Sequence, residues 1–343
     1  MENKVHAKMI KRIVILLYAL PLFFLCICCK FQVPVSEIKS QQNLPVYWME
    51  HLSNKIELIN NFSQSSYDTE CFYFLTDYHF EDNAGYSHCL ISYLCSQTNV
   101  KNLVFGGDVF NGNSNKEAAL DYMNEFNKRF SSIRVFGIRG NHDYNLNDGG
   151  SSEVMLSDSE IYKYLIGKEA KDVVFGRDSL YYYRDVNSKN LRFIFLDSRY
   201  EDSKNSIDNE QLNWLLERII ELPELWSIVI FTHQLFRTID KETNQPKYSV
   251  SGLRTINCLT TIEPRAKIIA IISGHCHSDY SINKHGFWEI STTCDAMWQN
   301  CDGLTSTRGT INEHAFDVFC INLKDHTLKA TRIGRGKDRE WNY

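Results

Sequence analysis

The 343-residue sequence has no surplus of positive charge: 37 Lys and Arg stand against 42 Asp and Glu, a net of −5. The balance is uneven. Residues 1–30 carry five basic residues and one acid, which leaves 32 basic and 41 acidic residues, a net of −9, for positions 31–343. A body of that sign has no general attraction for nucleic acid or anionic lipid, and no basic stripe interrupts it. Internal repeats are absent, which argues against a repeat array. The sole Cys-x-x-Cys, Cys26 to Cys29, lies inside an apolar run, a poor place for a redox motif. At 43% hydrophobic and 23% charged, the chain is neither disordered nor fibrous.

What is present begins with that apolar run. Lys4, Lys8, Lys11 and Arg12 precede Ile13–Cys29, 17 residues broken only by Pro21. As a helix it is about 26 Å long, just under a hydrocarbon core of about 30 Å. A basic start followed by an apolar run reads as an export signal or membrane anchor, with everything after Lys30 outside the cytoplasm. No small-x-small cleavage site follows, which favours retention. Leu25–Cys29 is similar to a lipoprotein signal, with Ile27 and Cys28 where a small residue is expected. The expected organisation is a signal or anchor over 1–30, a linker over 31–69 with a short helix near Trp48–Ile59, one α/β domain over 70–335, and a tail over 336–343. Eight cysteines lie beyond the run, and their pairing is left open.

Within the domain, short apolar runs alternate with amphipathic ones. Cys71–Thr76, Leu103–Gly106, Ile133–Ile138, Phe193–Leu196, Ile228–Phe231 and Ile268–Ile272 read as strands. Helices are expected around Tyr86–Ser96, after the capping box Ser114-x-x-Glu117, and after Asp208-x-x-Gln211. The second carries Ala119, Tyr122, Met123, Phe126 and Phe130 on one face; the third has Leu212, Leu215, Leu216 and Ile219 at helical spacing. From Phe287 through Phe316–Leu323 to Leu328–Ile333 the chain is strand-rich, and Asn145–Ser159 reads as a loop. The pattern predicts stacked sheets flanked by helices.

The chemistry sits where strands end. Five polar clusters directly follow five of the strands: Asp77–Tyr78–His79, Gly107–Asp108, Gly140–Asn141–His142–Asp143, Thr232–His233 and Gly274–His275–Cys276–His277. Strand C-termini are where ligands gather in open α/β sheets. Asp77 and His79, at i and i+2, can share one ion; His275 and His277 can reach one centre or two adjacent ones. Glycines before Asp108, Asn141 and His275 permit unusual backbone angles and close approach. Carboxylate, imidazole and amide donors without a thiolate suit Mn, Fe, Zn or Ni.

These five blocks, in this order, resemble the calcineurin-like metallophosphoesterase superfamily, whose signature runs D-x-H, G-D, G-N-H-D/E, H, G-H-x-H. The resemblance covers roughly residues 70–335. It implies an α/β/β/α four-layer sandwich holding two divalent transition-metal ions. Asp77, His79 and His277 would bind one ion, Asn141, His233 and His275 the other, with Asp108 bridging. It further implies hydrolysis of a phosphomonoester or phosphodiester by attack of a hydroxide shared by the ions. His142 would assist the leaving group, and Asp143 would orient the His142 imidazole. The implied partner is a small phosphate-ester substrate. An inert scaffold of the same fold and a nuclease of the same superfamily are the alternatives.

Departures narrow this reading. Many relatives have a second acid three residues after the bridging Asp, and purple acid phosphatases a tyrosinate there; this chain has Asn111. Arg139 is placed to reach a substrate phosphate, with an exposed strand-end cation as the plainer reading. Trp288 and Trp298 can stack a nucleobase, with core packing as the default.

Overall fold

The computed structural model describes residues 44–146, 153–177, 180–198, 207–239, 246–248, 250–262, 266–297 and 303–343. The expected signal or anchor, Trp298 and part of the Asn145–Ser159 loop lie outside them. Among the described residues no helix is long and apolar enough to cross a membrane.

The chain opens with helix α1 (Val46–Ser63), six residues longer than the helix expected in the linker, and buries Trp48, Leu52 and Ile59. Strand β1 (Thr69–Leu75), helix α2 (Ser87–Gln97), β2 (Asn102–Phe105), α3 (Lys116–Arg129) and β3 (Arg134–Gly137) follow. The cap of α3 is Asn115 rather than Ser114: the Asn115 side chain accepts from the Ala118 amide. A short helix α4 (Asp158–Ile161) closes the expected loop and starts from a Ser157/Glu160 capping box. Next come β4 (Val174–Phe175), β5 (Tyr182–Val186), β6 (Leu191–Leu196), α5 (Asn209–Ile220), β7 (Ser227–Thr232), a hairpin of β8 (Arg237–Ile239) and β9 (Pro246–Tyr248), and α6 (Val250–Ile262). The chain ends on β10 (Lys267–Ser273), β11 (Tyr280–Asn283), β12 (Trp288–Ser291), β13 (Ala315–Asn322), β14 (Thr327–Gly334) and β15 (Arg339–Asn342). The expected tail is therefore a strand: β15 pairs with β14 and buries Trp341.

One sheet has the order β15-β14-β13-β1-β2-β3 and the other β11-β12-β10-β7-β6-β5-β4. In the first, β1, β2 and β3 are parallel. In the second, β6, β7, β10 and β12 are parallel. Parallel strands deliver their C-terminal ends to one edge of a sheet, which places the polar clusters together.

Alternation along the strands divides the core. Phe193 and Phe195 of β6, and Val229 and Phe231 of β7, belong to the cluster that joins the two sheets. Phe72 lies 5.3 Å from both Phe193 and Phe231 across that junction. Their neighbours Ile194, Leu196, Ile228 and Ile230 instead pack with Leu212, Leu215 and Ile219 of α5 and Ile256 and Leu259 of α6. Strands buried on both faces read as unbroken apolar runs, as these do. Cys71 and Cys320, directly opposite on β1 and β13, form a disulfide.

Candidate metal centre

The turns after β1, β2, β3, β7 and β10 converge. Asp77 Oδ1 lies 3.2 Å from His277 Nε2, so a residue after the first sheet's β1 meets one after the second sheet's β10. Asp108 sits between the groups: its Oδ2 lies 3.2 Å from His233 Nε2, 3.8 Å from His142 Nε2 and 3.9 Å from His79 Nε2. His233 Nε2 is 2.9 Å from Asn141 Oδ1, and its Nδ1 is 2.7 Å from the Gly106 carbonyl. Three overlapping groups result, each with donor atoms close enough for one ion: Asp77, His79 and His277; His79, Asp108 and His142; Asp108, His233 and His275.

The backbone is forced into this arrangement. Asp77, His79, Asp108, His275 and His277 all have positive φ, from 42° to 65°. For residues with a Cβ that conformation costs on the order of 1–3 kcal/mol each and survives only where the surroundings enforce it. Two glycines make room. A Cβ at Gly140 would strike the Asp108 carboxylate, and one at Gly274 would strike Asp77 and Thr76.

Burial and charge pull the site's protonation in opposite directions. Burial raises the Asp77 carboxyl, but His277 and His233 carry it well below the carboxylate range. Asp108 is likewise pulled far down against its burial by His233 and His142. Burial lowers His233, yet Asp108 lifts it to about 9; Asp77 lifts His277 to about 11. His79 and His275, where burial prevails, fall to about 4. Neutral imidazoles and ionised carboxylates are the forms that bind cations.

The Asp108 Oδ2 atom is the most telling. It is fully buried, accepts no hydrogen bond, and faces three imidazole nitrogens. A buried carboxylate oxygen without a donor is costly. Cations answer that deficit, and the donor set fits divalent transition metals.

Asp143, expected to orient His142, is engaged with the backbone. Its carboxylate accepts from the backbone amides of Gly140 (2.7 Å), Val109 (2.8 Å) and Asp108 (3.0 Å), tying the second and third blocks together. Burial and the nearby Asp108 charge push the Asp143 carboxyl up to about 6. The His142 Nδ1 lies instead 2.7 Å from the carbonyl of Asn111, and the Asn111 side chain donates to Asp82. Arg139 is neither an exposed cation nor aimed at substrate. It is buried, ion-paired with Asp197 and Asp158, and lies over the Tyr144 ring. Trp288 packs beside Trp341, 6.4 Å between ring centres. The sequence reading passed over Gln234, whose Nε2 is 3.4 Å from Asn141 Oδ1; its position next to His233 was the available signal.

The fold has known counterparts. A dimetal phosphatase from Danio rerio aligns with a TM-score of 0.55 at 14% identity, covering 80% of this chain and 98% of its own. A purple acid phosphatase, PPD1, from yellow lupin (Lupinus luteus) seeds aligns at 0.50 and 10% identity, covering 79% and 53%. No curated protein sequence matches. The family profile described as calcineurin-like phosphoesterase matches residues 72–279, more than half of the chain and all five polar blocks. The protein belongs to the calcineurin-like phosphoesterase family.

Proposed function

We propose that the protein hydrolyses a small phosphomonoester or phosphodiester at a centre of two divalent transition-metal ions. Asp77, His79 and His277 would hold one ion and Asn141, His233 and His275 the other, with Asp108 shared, in a four-layer α/β/β/α sandwich. The carrying observation is the buried Asp108 Oδ2, which accepts no hydrogen bond and faces imidazoles from both sides. When bound, such ions supply positive charge against phosphate oxygens and acidify water.

The chain's own residues divide the remaining work. His142 is partly accessible, at 21%, where His79 and His233 are fully buried and His277 keeps 18%, so it can meet a leaving oxygen. Its amide donates to Asp108 Oδ1 and its Nδ1 is fixed by the Asn111 carbonyl, which leaves Nε2 to carry a proton to that oxygen. Asp143 fixes the turn that presents Asn141 and His142, through its three amide bonds. The Cys71–Cys320 disulfide favours an exported chain, because such bonds persist in oxidising compartments.

The test is metal analysis of the full chain, followed by a screen of phosphomonoesters, linear and cyclic diesters and nucleotides with added Mn²⁺. Two ions per chain and hydrolysis of a small ester are expected. Asp108→Ala should lose more metal than any other single ligand change, since it removes the carboxylate lying between both groups. A wild-type protein with one tightly held ion, unaffected by Asp108→Ala, overturns the dinuclear assignment.

A further inference from the structure

The two sheets meet at the site, and one short segment is hydrogen-bonded to both. Residues 292–297 follow β12 and are buried up to Ala296. On the β10 side, the Thr292 amide donates to the Ser273 carbonyl (3.0 Å) and Thr293 Oγ1 to the His277 carbonyl (3.2 Å). On the β1 side, the Asp295 amide donates to the Thr76 carbonyl (3.1 Å) and the Ala296 amide to the Asp77 carbonyl (3.2 Å). The segment thus straps together Asp77 and His277, both of which have positive φ and need external support.

Groups both inside and beyond the family-matched stretch hold the strap in turn. Arg335, 1% exposed, follows β14 and donates Nη2 to the carbonyls of Cys294 (2.7 Å) and Ala296 (3.1 Å), and Nη1 to that of Asn312 (2.9 Å). Asp295, fully buried, accepts from Ser87 Oγ (2.5 Å), Asn83 Nδ2 (2.7 Å), His314 Nδ1 (2.9 Å) and the Ala315 amide (3.2 Å). Because the Tyr86 amide donates to His314 Nε2, the His314 proton sits on Nδ1 and points at Asp295. His233 is held separately, by the Gly106 carbonyl.

We propose that Arg335 and Asp295 are positioning residues that tune one of the two metal positions, the one on Asp77, His79 and His277. This rests on the dimetal reading above. Outer groups that orient ligands are typically worth about 10–100-fold in metal affinity. Arg335→Met removes the bonds that hold the strap's carbonyls. Thr293→Val keeps the shape and removes the hydroxyl that donates to the His277 carbonyl, so it serves if Arg335→Met does not fold.

The experiment titrates Mn²⁺ into metal-stripped full-length wild type, both variants and Leu215→Ala. Leu215, on the buried face of α5, packs in the outer core, so its truncation controls for a general loss of stability. Stoichiometry and affinity are followed by calorimetry, and electron paramagnetic resonance distinguishes a coupled Mn pair from a single ion. Wild type should bind two ions. Arg335→Met should bind one with near wild-type affinity and the other about 10–100-fold more weakly, with the single-ion signal at intermediate Mn²⁺. Thr293→Val should shift the same ion by less. Two unchanged ions in both variants overturn the inference alone, as does an equal loss of both that Leu215→Ala reproduces. A wild type that binds no pair overturns the reading of the centre, and this inference with it.

Discussion

At the scale of single residues, exposure sets His142 apart from His79 and His233, though not from His277, which is 18% accessible. His79 and His233 are buried, whereas His142 keeps access to solvent and is anchored through Nδ1 at a backbone carbonyl. His142→Ala should therefore keep its metal but lose on the order of 10²–10⁴ in turnover on alkyl phosphates, the usual range for general acid catalysis. The loss should be much smaller for p-nitrophenyl phosphate, whose leaving group departs as a stable anion. Parallel assays on both esters decide it; equal losses would assign His142 to holding substrate instead. The ligand-type residues were readable from the sequence because each follows an apolar run that can only be a buried strand. The tasks of Asp143 and Arg139 were not. Both depend on which polar atom a buried side chain finds, and each found a partner that no spacing encodes: three backbone amides for Asp143, Asp197 for Arg139.

At the scale of elements, helix α3 offers a direct measurement. Both Ser114 and Asn115 are good capping residues, but only the Asn115 side chain meets a free helix amide. The Ser114 backbone is occupied elsewhere, exchanging bonds with the side chain of Asn145. Asn115→Ala should cost about 1 kcal/mol in denaturant unfolding and Ser114→Ala a few tenths, about the size of an ordinary surface change. The reverse order would restore the Ser114 capping box. The central strands were legible because burial on both faces leaves no polar interruption. The elements that were missed are those lacking that signature. Strand β15 reads Arg-Glu-Trp-Asn, an edge strand in which only Trp341 is buried. Helix α6 carries Thr and Ile where helix formers are expected, and its apolar face is supplied by packing against β7 and β10 rather than by propensity. The α3 cap failed for another reason: a one-residue shift in the start moves the cap without disturbing the apolar face.

At the scale of the whole molecule, the C-terminal strands carry charge into the interior. Asp317 of β13 is fully buried and pairs with Arg332 at 2.8 Å and Arg339 at 2.6 Å; Arg332 also reaches Asp279, two residues past His277. The network ties β13, β14 and β15 of the first sheet to the turn after β10 of the second. Burial raises the Asp317 carboxyl, but the two guanidinium groups pull it below its ordinary value. A carboxyl whose folded value is depressed stabilises the protein above its unfolded value of about 3.9, and that stabilisation is lost as pH falls through the folded value. Asp317→Asn leaves the buried Arg332 with Asp279 in place of two carboxylates, so at neutral pH it should cost up to about 3–5 kcal/mol. The gap between wild type and variant should be constant above about pH 5 and close progressively as pH drops below about 4, because the unfolded wild-type chain then takes up a proton that the folded carboxylate does not. Denaturant midpoints of the metal-stripped proteins from pH 7 to pH 3 measure that gap, and the subtraction removes every other titrating group common to both. A gap that stays constant down to pH 3 would mean the Asp317 charge contributes nothing.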